Sequence, residues 1–368
     1  MLNRFRLYLK NFDWLILASV ILLIAFSLVE IYSVALGQEK FSLLNFKKQF
    51  FFAGIGIFLL FLFAFIDSYS LKSFSRYFYI LAVLSLLAVL LFGSTFKGTK
   101  GWFNIFGFGL QPVEFVKIIL ILFLSNFFSG LATKIKTSHH FFVSAASAGL
   151  LIFLVLMQPD FGSALILVAI WLIIIIAAGF PKKYLFIIAV SGVIAFTIAW
   201  FFLFKTYQRE RVMTFMDPGA NSLESGYNIS QAMIAVGSGG ITGKGVGFGS
   251  QSQLKFLPEA QNDFIFAVIA EELGLLGVLL VLGFYVIFFY RCFSALKRVG
   301  NDFGIYFIIG TAGLIFIQMF INIGMNIGIM PVVGLPLPFV SYGGSSLLSL
   351  LILVGIVENI IIKSKISY

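Results

Sequence analysis

Ten runs of apolar residues, each long enough to cross a bilayer, divide this chain of 368 residues. Such runs constrain the fold more than any motif does, because a bilayer core about 30 Å thick takes about twenty residues of helix and offers no water to the backbone. They extend over Trp14 to Val34, Phe50 to Ile66, Phe78 to Phe92, Pro112 to Phe128, Phe141 to Met157, Ser163 to Gly179, Tyr184 to Phe204, Phe264 to Tyr290, Ile305 to Ile329 and Ser346 to Ile362. A chain that is 60% hydrophobic and 11% charged, with mean hydropathy +1.06, cannot fold as a water-soluble globule. The runs are continuous, whereas barrel strands alternate in short segments, so a β-barrel is excluded. The expected fold is an all-α polytopic membrane protein of about ten transmembrane helices, a single domain over residues 1–368 with a large loop between spans 7 and 8.

Charge orients the spans. Arg4, Arg6 and Lys10 precede the first apolar run as in a signal peptide, but the run is too long and lacks a small-residue cleavage site, so it reads as an uncleaved span. With the N-terminus in the cytoplasm, Lys72, Arg76, Lys134, Lys136, Lys182, Lys183, Arg291, Lys297, Arg298, Lys363 and Lys365 all fall in short inner loops or the C-terminal tail, as the positive-inside rule expects. Both termini are then cytoplasmic. The net charge of +10 is accounted for by this membrane placement, and no nucleic-acid partner is expected. The same topology gathers the segments around Trp102, Asp160, Lys205 to Asp263 and Pro331 to Gly344 on the outer face.

The Lys205–Asp263 loop, roughly sixty residues, is of a length that usually carries function. Seven glycines lie within Gly237 to Gly249, which invites comparison with a phosphate-cradling loop. A Walker A box is excluded, since Ser238 stands where its first glycine is required and Gly245 follows Lys244 in place of Ser or Thr. What remains is a flexible cationic surface bearing Arg209, Arg211, Lys244 and Lys255, suited to an anion such as a lipid-linked pyrophosphate; alternatively Arg209 and Arg211 pair with Glu210, Asp217 or Glu224, or meet lipid headgroups. Asp263, ahead of Phe264-Ile-Phe-Ala, suits either a helix N-cap or a catalytic carboxylate. On the helix below it, Ala267, Ala270, Gly274 and Gly277 leave a groove that a neighbouring helix can approach.

Ionisable residues within spans are costly enough to suggest function or a buried partner. Glu271 and Glu272 point about 100° apart, so only one can face that groove. Glu114 and Lys117 can neutralise one another at i, i+3, although Lys117 is also the nearest cation for Glu271; structural pairing and direct participation stay open for all four. Trp102 suits the interfacial aromatic belt or a substrate contact. Pro331, Pro336 and Pro338 make the segment before Ser341-Tyr-Gly-Gly344 non-helical, tolerable at membrane depth where it lines protein or a cavity. Cys292 has no disulfide partner. His139 and His140 lack further ligands for a zinc shell, so neither metal nor cofactor is evident.

The motifs also resemble a known family. Tyr207-Gln-Arg-Glu-Arg-Val212, Gly226-Tyr-Asn228, Ala235 to Gly240, Gly243-Lys-Gly245, Gln251 to Glu259, Asp263-Phe-Ile-Phe266 and Ala270-Glu-Glu-Leu-Gly274 look like the large outer loop of the SEDS family (shape, elongation, division and sporulation). Gln111-Pro-Val-Glu-Phe-Val-Lys117, Gln158-Pro-Asp-Phe-Gly162 and the Ser341-Tyr-Gly-Gly turn match further family motifs. In place of the commoner His-Thr this chain has Gln261-Asn262, and the position of the family's arginine before its tryptophan is Gly101.

The resemblance implies a peptidoglycan glycosyltransferase, more like the elongation than the division branch, that polymerises lipid II at the outer face of the bacterial cytoplasmic membrane. It implies Asp263 as catalytic residue, with Trp102, Glu114, Lys117, Asp160, Arg209, Arg211, Lys244, Glu271 and Ser341 as candidate substrate contacts. The implied partners are lipid II, the nascent lipid-linked glycan strand, a class B penicillin-binding protein and the elongation machinery, with a divalent cation conceivable. The rivals are a lipid II flippase, which should show inverted repeats and broken spans around a midplane site, and a non-catalytic scaffold for the penicillin-binding protein.

Overall fold

The structure is a computed structural model describing residues 2–37, 42–96, 98–105, 107–130, 137–204, 206–216 and 225–366. Lys134, Lys136, Lys205, Asp217 and Glu224 lie outside these residues, as do the side chains of Arg4, Arg6 and Arg211. Every expected apolar run forms a helix. A short α1 (Leu2–Asn11) precedes α2 (Trp14–Leu36), α3 (Leu44–Phe65) and α4 (Ser68–Phe92); then come α5 (Pro112–Ser129), α6 (Thr137–Leu156), α7 (Phe161–Ala177) and α8 (Lys182–Ile198), which a π-helical turn extends over Ala199–Leu203. The C-terminal part holds α12 (Ile265–Leu296), α13 (Asp302–Asn326) and α14 (Gly344–Ile366). Nine of the described helices are long and apolar enough to cross a membrane, and α7, with 17 residues, is the tenth and shorter one.

Two connections are more ordered than expected. The Trp102 segment folds as a three-stranded antiparallel sheet, β1 (Ser94–Phe96), β2 (Thr99–Ile105) and β3 (Phe108–Leu110). The large loop carries α9 (Thr206–Met216), α10 (Ser225–Ser238) and the single turn α11 (Ser250–Gln253).

Burial sorts the helices by environment. In α14, 89% of the most apolar window is buried, against 6% in α8, so α14 is the axis of the bundle and α8 presents nearly its whole surface outward. A helix apolar all round is suited to either place, and only packing separates them. At the basic end, Arg291 of α12 donates two Nε contacts of 3.0 Å to the Asp13 carboxylate, and the Asp13 amide donates to Glu358 Oε2 of α14 (3.0 Å). That network fastens the ends of α2, α12 and α14 where charge would otherwise be buried alone.

Candidate active site

Asp263 sits in a turn ahead of α12, half-buried, at the end of the bundle opposite the Asp13–Arg291 network. It is not the helix N-cap: that residue is Phe264. Two fully buried amides of α13 hold its backbone instead, since Asn322 Nδ2 and Asn326 Nδ2 each donate to the Asp263 carbonyl at 3.0 Å. Asn326 Oδ1 in turn accepts from the Ala267 amide (3.2 Å), doing the capping work expected of Asp263. The proline segment closes the other side. Ser341 Oγ accepts from Leu337 N (2.7 Å) and donates to the Asn262 carbonyl (2.6 Å), while Tyr342 N donates to the Gln261 carbonyl (2.8 Å). Ser341 therefore latches the Asp263 turn from behind, and Gln261, whose Oε1 accepts from Asn45 Nδ2 (2.7 Å), ties it to α3.

Gly334, at φ +71°, faces the carboxylate: a Cβ there would lie 3.5 Å from Asp263 Oδ2. Gly334→Ala adds that methyl in a backbone conformation alanine resists. Because a shift of about 1 Å at a reacting group costs roughly a hundredfold, activity that depends on the Asp263 carboxylate should fall about tenfold to a hundredfold; activity equal to wild type would separate Gly334 from the site.

The glycine run serves packing. Nine residues into α12, Gly274 leaves helical geometry (φ 65°, ψ −162°), and residues 239–247 fill the break. Lys244 N donates to the Glu271 carbonyl (3.0 Å), Gly245 N to the Glu272 carbonyl (2.9 Å), and Leu275 N and Leu276 N to the carbonyls of Gly240 (2.9 Å) and Ile241 (3.1 Å). The approach is so close that a Cβ on Gly239 would meet the Ala270 carbonyl at 1.8 Å, and one on Gly243 the Glu272 carbonyl at 2.1 Å. The groove of small residues below Asp263 thus receives α10, whose Ala232 and Ala235 pack with Ala267, and then, from Ala270 to Gly274, loop backbone, and these loop amides are not available to cradle a phosphate.

Glu271 and Glu272, both fully buried, are both bonded by the same wrapping loop. Glu271 accepts from Lys244 Nζ (2.8 Å), Ser250 Oγ (3.2 Å), Gln251 N (2.9 Å) and Ser252 N (3.2 Å). Glu272 accepts from Ser33 Oγ, Gly247 N (3.0 Å), Ser252 Oγ (3.0 Å) and Gln253 Nε2 (3.2 Å). A buried carboxylate needs donors and a counter-ion, and the loop supplies both, so Lys244 is committed to Glu271. Lys117 bonds Glu114 (2.8 Å) within α5, both buried, and does not serve Glu271. Arg209 is exposed and donates to the Phe201 carbonyl (3.2 Å), which sets it against the end of α8.

The remaining candidates converge on one corner. Asp160 caps α7 by accepting from Ser163 N (2.9 Å) and Ser163 Oγ (2.7 Å), and its Oδ2 also accepts from Gln111 Nε2 (3.2 Å). The two Gln-Pro motifs thereby meet. Lys100 N, in the same strand as Trp102, donates to the Gln158 carbonyl (3.2 Å), and the partly buried Trp102 ring packs over Gly109 of β3, where a Cβ would lie 3.2 Å from Cε3. Among the described residues no three of His, Cys, Asp or Glu come together to hold a metal ion.

Sequence reasoning passed over Asn322, Asn326, Glu30 and Glu358, although a polar side chain inside an apolar span is itself the signal. Glu30 is fully buried with no hydrogen-bond partner for either carboxyl oxygen among the described residues, and it lies within Coulombic reach of Glu272. Removing an acid that nothing compensates should cost nothing, so Glu30→Gln should melt within about 1 kcal/mol of wild type or above it. A loss of more than about 2 kcal/mol in thermal unfolding would reveal a partner for that carboxyl.

The comparisons with known proteins agree with this architecture. The model of a family described as cell cycle protein, comprising FtsW, RodA and SpoVE, matches residues 13–366. Peptidoglycan glycosyltransferase MrdB of Escherichia coli K12 is 39% identical over 293 residues, 78% of each chain, and a probable peptidoglycan glycosyltransferase FtsW of Thiomicrospira cyclica is 35% identical over 368 residues, 98% of this chain and 94% of that one. A solved peptidoglycan synthase complex, described as coordinating polymerization and crosslinking, contains a chain that superposes with a TM-score of 0.80 at 28% identity, covering 97% of this chain and 98% of that one. With ten apolar helices in the expected order and a family match across nearly its whole length, the chain belongs to the FtsW/RodA/SpoVE family, the SEDS family of polytopic membrane proteins.

Proposed function

We propose that the chain is a peptidoglycan glycosyltransferase that polymerises lipid II at the outer face of the bacterial cytoplasmic membrane, with Asp263 as general base. The observation that carries the reading is the clamp on the Asp263 turn: Asn322, Asn326 and Ser341 fix its backbone from two sides, and the helix N-cap is the next residue, Phe264. Preorganisation of that kind is what proton abstraction from a bound hydroxyl requires. In the reaction, the Asp263 carboxylate takes the proton of the 4-hydroxyl of an acceptor lipid II. That oxygen forms its bond to the anomeric carbon of the lipid-linked donor strand as the bond from that carbon to the pyrophosphate oxygen breaks, with inversion, and the pyrophosphate departs with the electron pair. Arg209 and Arg211 are the loop cations proposed to meet its developing charge, Lys244 being held by Glu271. No step is routed through a divalent cation.

Orientation follows from charge: the end remote from Asp263 carries Lys72, Arg76, Lys182, Lys183, Arg298, Lys363 and Lys365, so both termini are proposed to be cytoplasmic. A class B penicillin-binding protein is the proposed crosslinking partner, by analogy with the synthase complex that couples the two activities. An elongation role is supported by the 39% identity to MrdB, while the FtsW match over 98% of the chain supports a division role as the second reading. A flippase is disfavoured because the break at Gly274 is closed by four loop hydrogen bonds and does not open onto a midplane site.

The deciding experiment is incubation of the purified chain, alone and with its cognate penicillin-binding protein, with lipid II in detergent. Glycan strands of many disaccharides support the polymerase. Unpolymerised lipid II that crosses the bilayer of reconstituted vesicles means a flippase, and neither activity, with a stable complex, means a scaffold.

A further inference from the structure

At the end remote from Asp263, a cavity of about 610 Å³ opens between the start of α4, the α12–α13 turn and the end of α14. Its walls include Ser68, Tyr69, Lys72, Arg298, Asn301 and Lys363, and among the described residues no carboxylate side chain lines it. Lys363 is already engaged, bonding Asp67 and Ser68 Oγ. Lys72 and Arg298 form no ion pair among the described residues. The Lys72 ammonium lies 5.7 Å from the Phe303 ring centroid, and Phe303 lines the same cavity, so the cation is held at the wall by its ring neighbour. The cavity is therefore electropositive, concave and of a size to hold a phosphate group with its substituents.

A second observation says what kind of phosphate. Tyr69 at the cavity wall begins a stripe along α4 that continues through Tyr77, Ile80, Leu84 and Leu87, all exposed. At 100° per residue these five lie within about an 80° sector. An apolar stripe with tyrosines at its polar end, running from a cationic pocket along a spanning helix, fits a molecule with an anionic head and hydrocarbon tails. We propose that this cavity binds the phosphodiester headgroup of an anionic glycerophospholipid through Lys72 and Arg298, with the acyl chains along the outward face of α4. The site is separate from the one that handles the sugar-bearing substrate, at the other end of the bundle, and stands whether or not Asp263 is the base.

The test is native mass spectrometry of the purified full-length chain titrated with dioleoylphosphatidylglycerol, with dioleoylphosphatidylcholine as neutral comparator. The wild type should retain the anionic lipid and shed the neutral one. Since a basic contact at a membrane surface contributes about fivefold in affinity, Lys72→Gln/Arg298→Gln should bind about thirtyfold more weakly, each single variant about fivefold, and the single variants carry the test if the double one does not fold. Lys182→Gln/Lys183→Gln, which removes the same charge from the exposed start of α8 on the same end, should bind as wild type does. Equal retention of both lipids, undiminished binding by the pocket variants, or an equal loss in the α8 variant overturns the proposal. Displacement of the lipid by inorganic phosphate at equal concentration also overturns it, and makes the site one for a free anion.

Discussion

Asp263→Asn should reduce lipid II polymerisation by about a hundredfold to ten-thousandfold, the range general-base catalysis supplies, while leaving the protein folded. The second half of that expectation comes from the geometry. Buried bonds hold the turn through the Asp263 and Asn262 carbonyls, which the substitution leaves in place, and an amide has the same shape as the acid it replaces. Thermal unfolding of the variant should therefore lie within about 1 kcal/mol of wild type, and the complex with the penicillin-binding protein should form normally. Strand synthesis is read on gels of labelled lipid II, with the melting temperature measured on the same preparation. Undiminished synthesis would remove the base assignment. A collapse of both activity and stability would mean that the carboxylate carries structure, and the catalytic assignment would lose its support.

The opposite signature is expected at the glycine junction. Gly239→Ala would place a methyl carbon 1.8 Å from the backbone carbonyl of Ala270, and because that obstacle is main chain, a side-chain rotation cannot relieve it. The cost should be about 3 kcal/mol, at the upper end of ordinary overpacking, and it should spread: displacing the 239–247 segment strips donors from Glu271 and Glu272 and uncovers the carbonyls freed at Gly274. Two residues earlier, Gly237, in the last turn of α10, has nothing within 4 Å of its would-be Cβ. Gly237→Ala should accordingly be neutral or stabilise by up to about 1 kcal/mol. The pair distinguishes packing from flexibility, since a loop that needed its glycines for motion would lose polymerisation in both variants without losing stability in either.

Much of the site was legible from residue order. Asp263, the Gln-Pro motifs, the proline segment and the glycine run were each visible as departures from an apolar background, and the structure gathers the segments that carry them, the glycine run excepted, around one end of the bundle. Their individual chemistry was less legible. Lys117 was open between Glu114 and Glu271, and spacing alone could not decide it; the structure pairs it with its own helix neighbour and gives Glu271 a lysine from the loop. Ser341 reads as a polar residue in a glycine turn, and its role as a latch exists only because the chain returns to Asn262 from 79 positions away. Asn322 and Asn326 looked like incidental amides in a span until their partner, the Asp263 carbonyl, was brought to them. The strands around Trp102 were hidden because a short hairpin has no apolar run to announce it, although a glycine at φ +81° sits in each of the two turns.

The sequence by itself determined that this chain is a bundle of about ten membrane helices, because a bilayer imposes length, apolarity and internal backbone satisfaction on every segment that crosses it, and each condition is local in the chain. It also set how lysine and arginine are shared between the two ends, on which the proposed orientation rests. Only the tertiary structure decided that α14 is the axis and α8 the rim, that α12 breaks at Gly274 to admit a loop, and which cation answers which buried acid. Those are questions of which groups become neighbours when water is excluded, and a Coulomb or hydrogen-bond energy depends on that distance and not on separation along the chain.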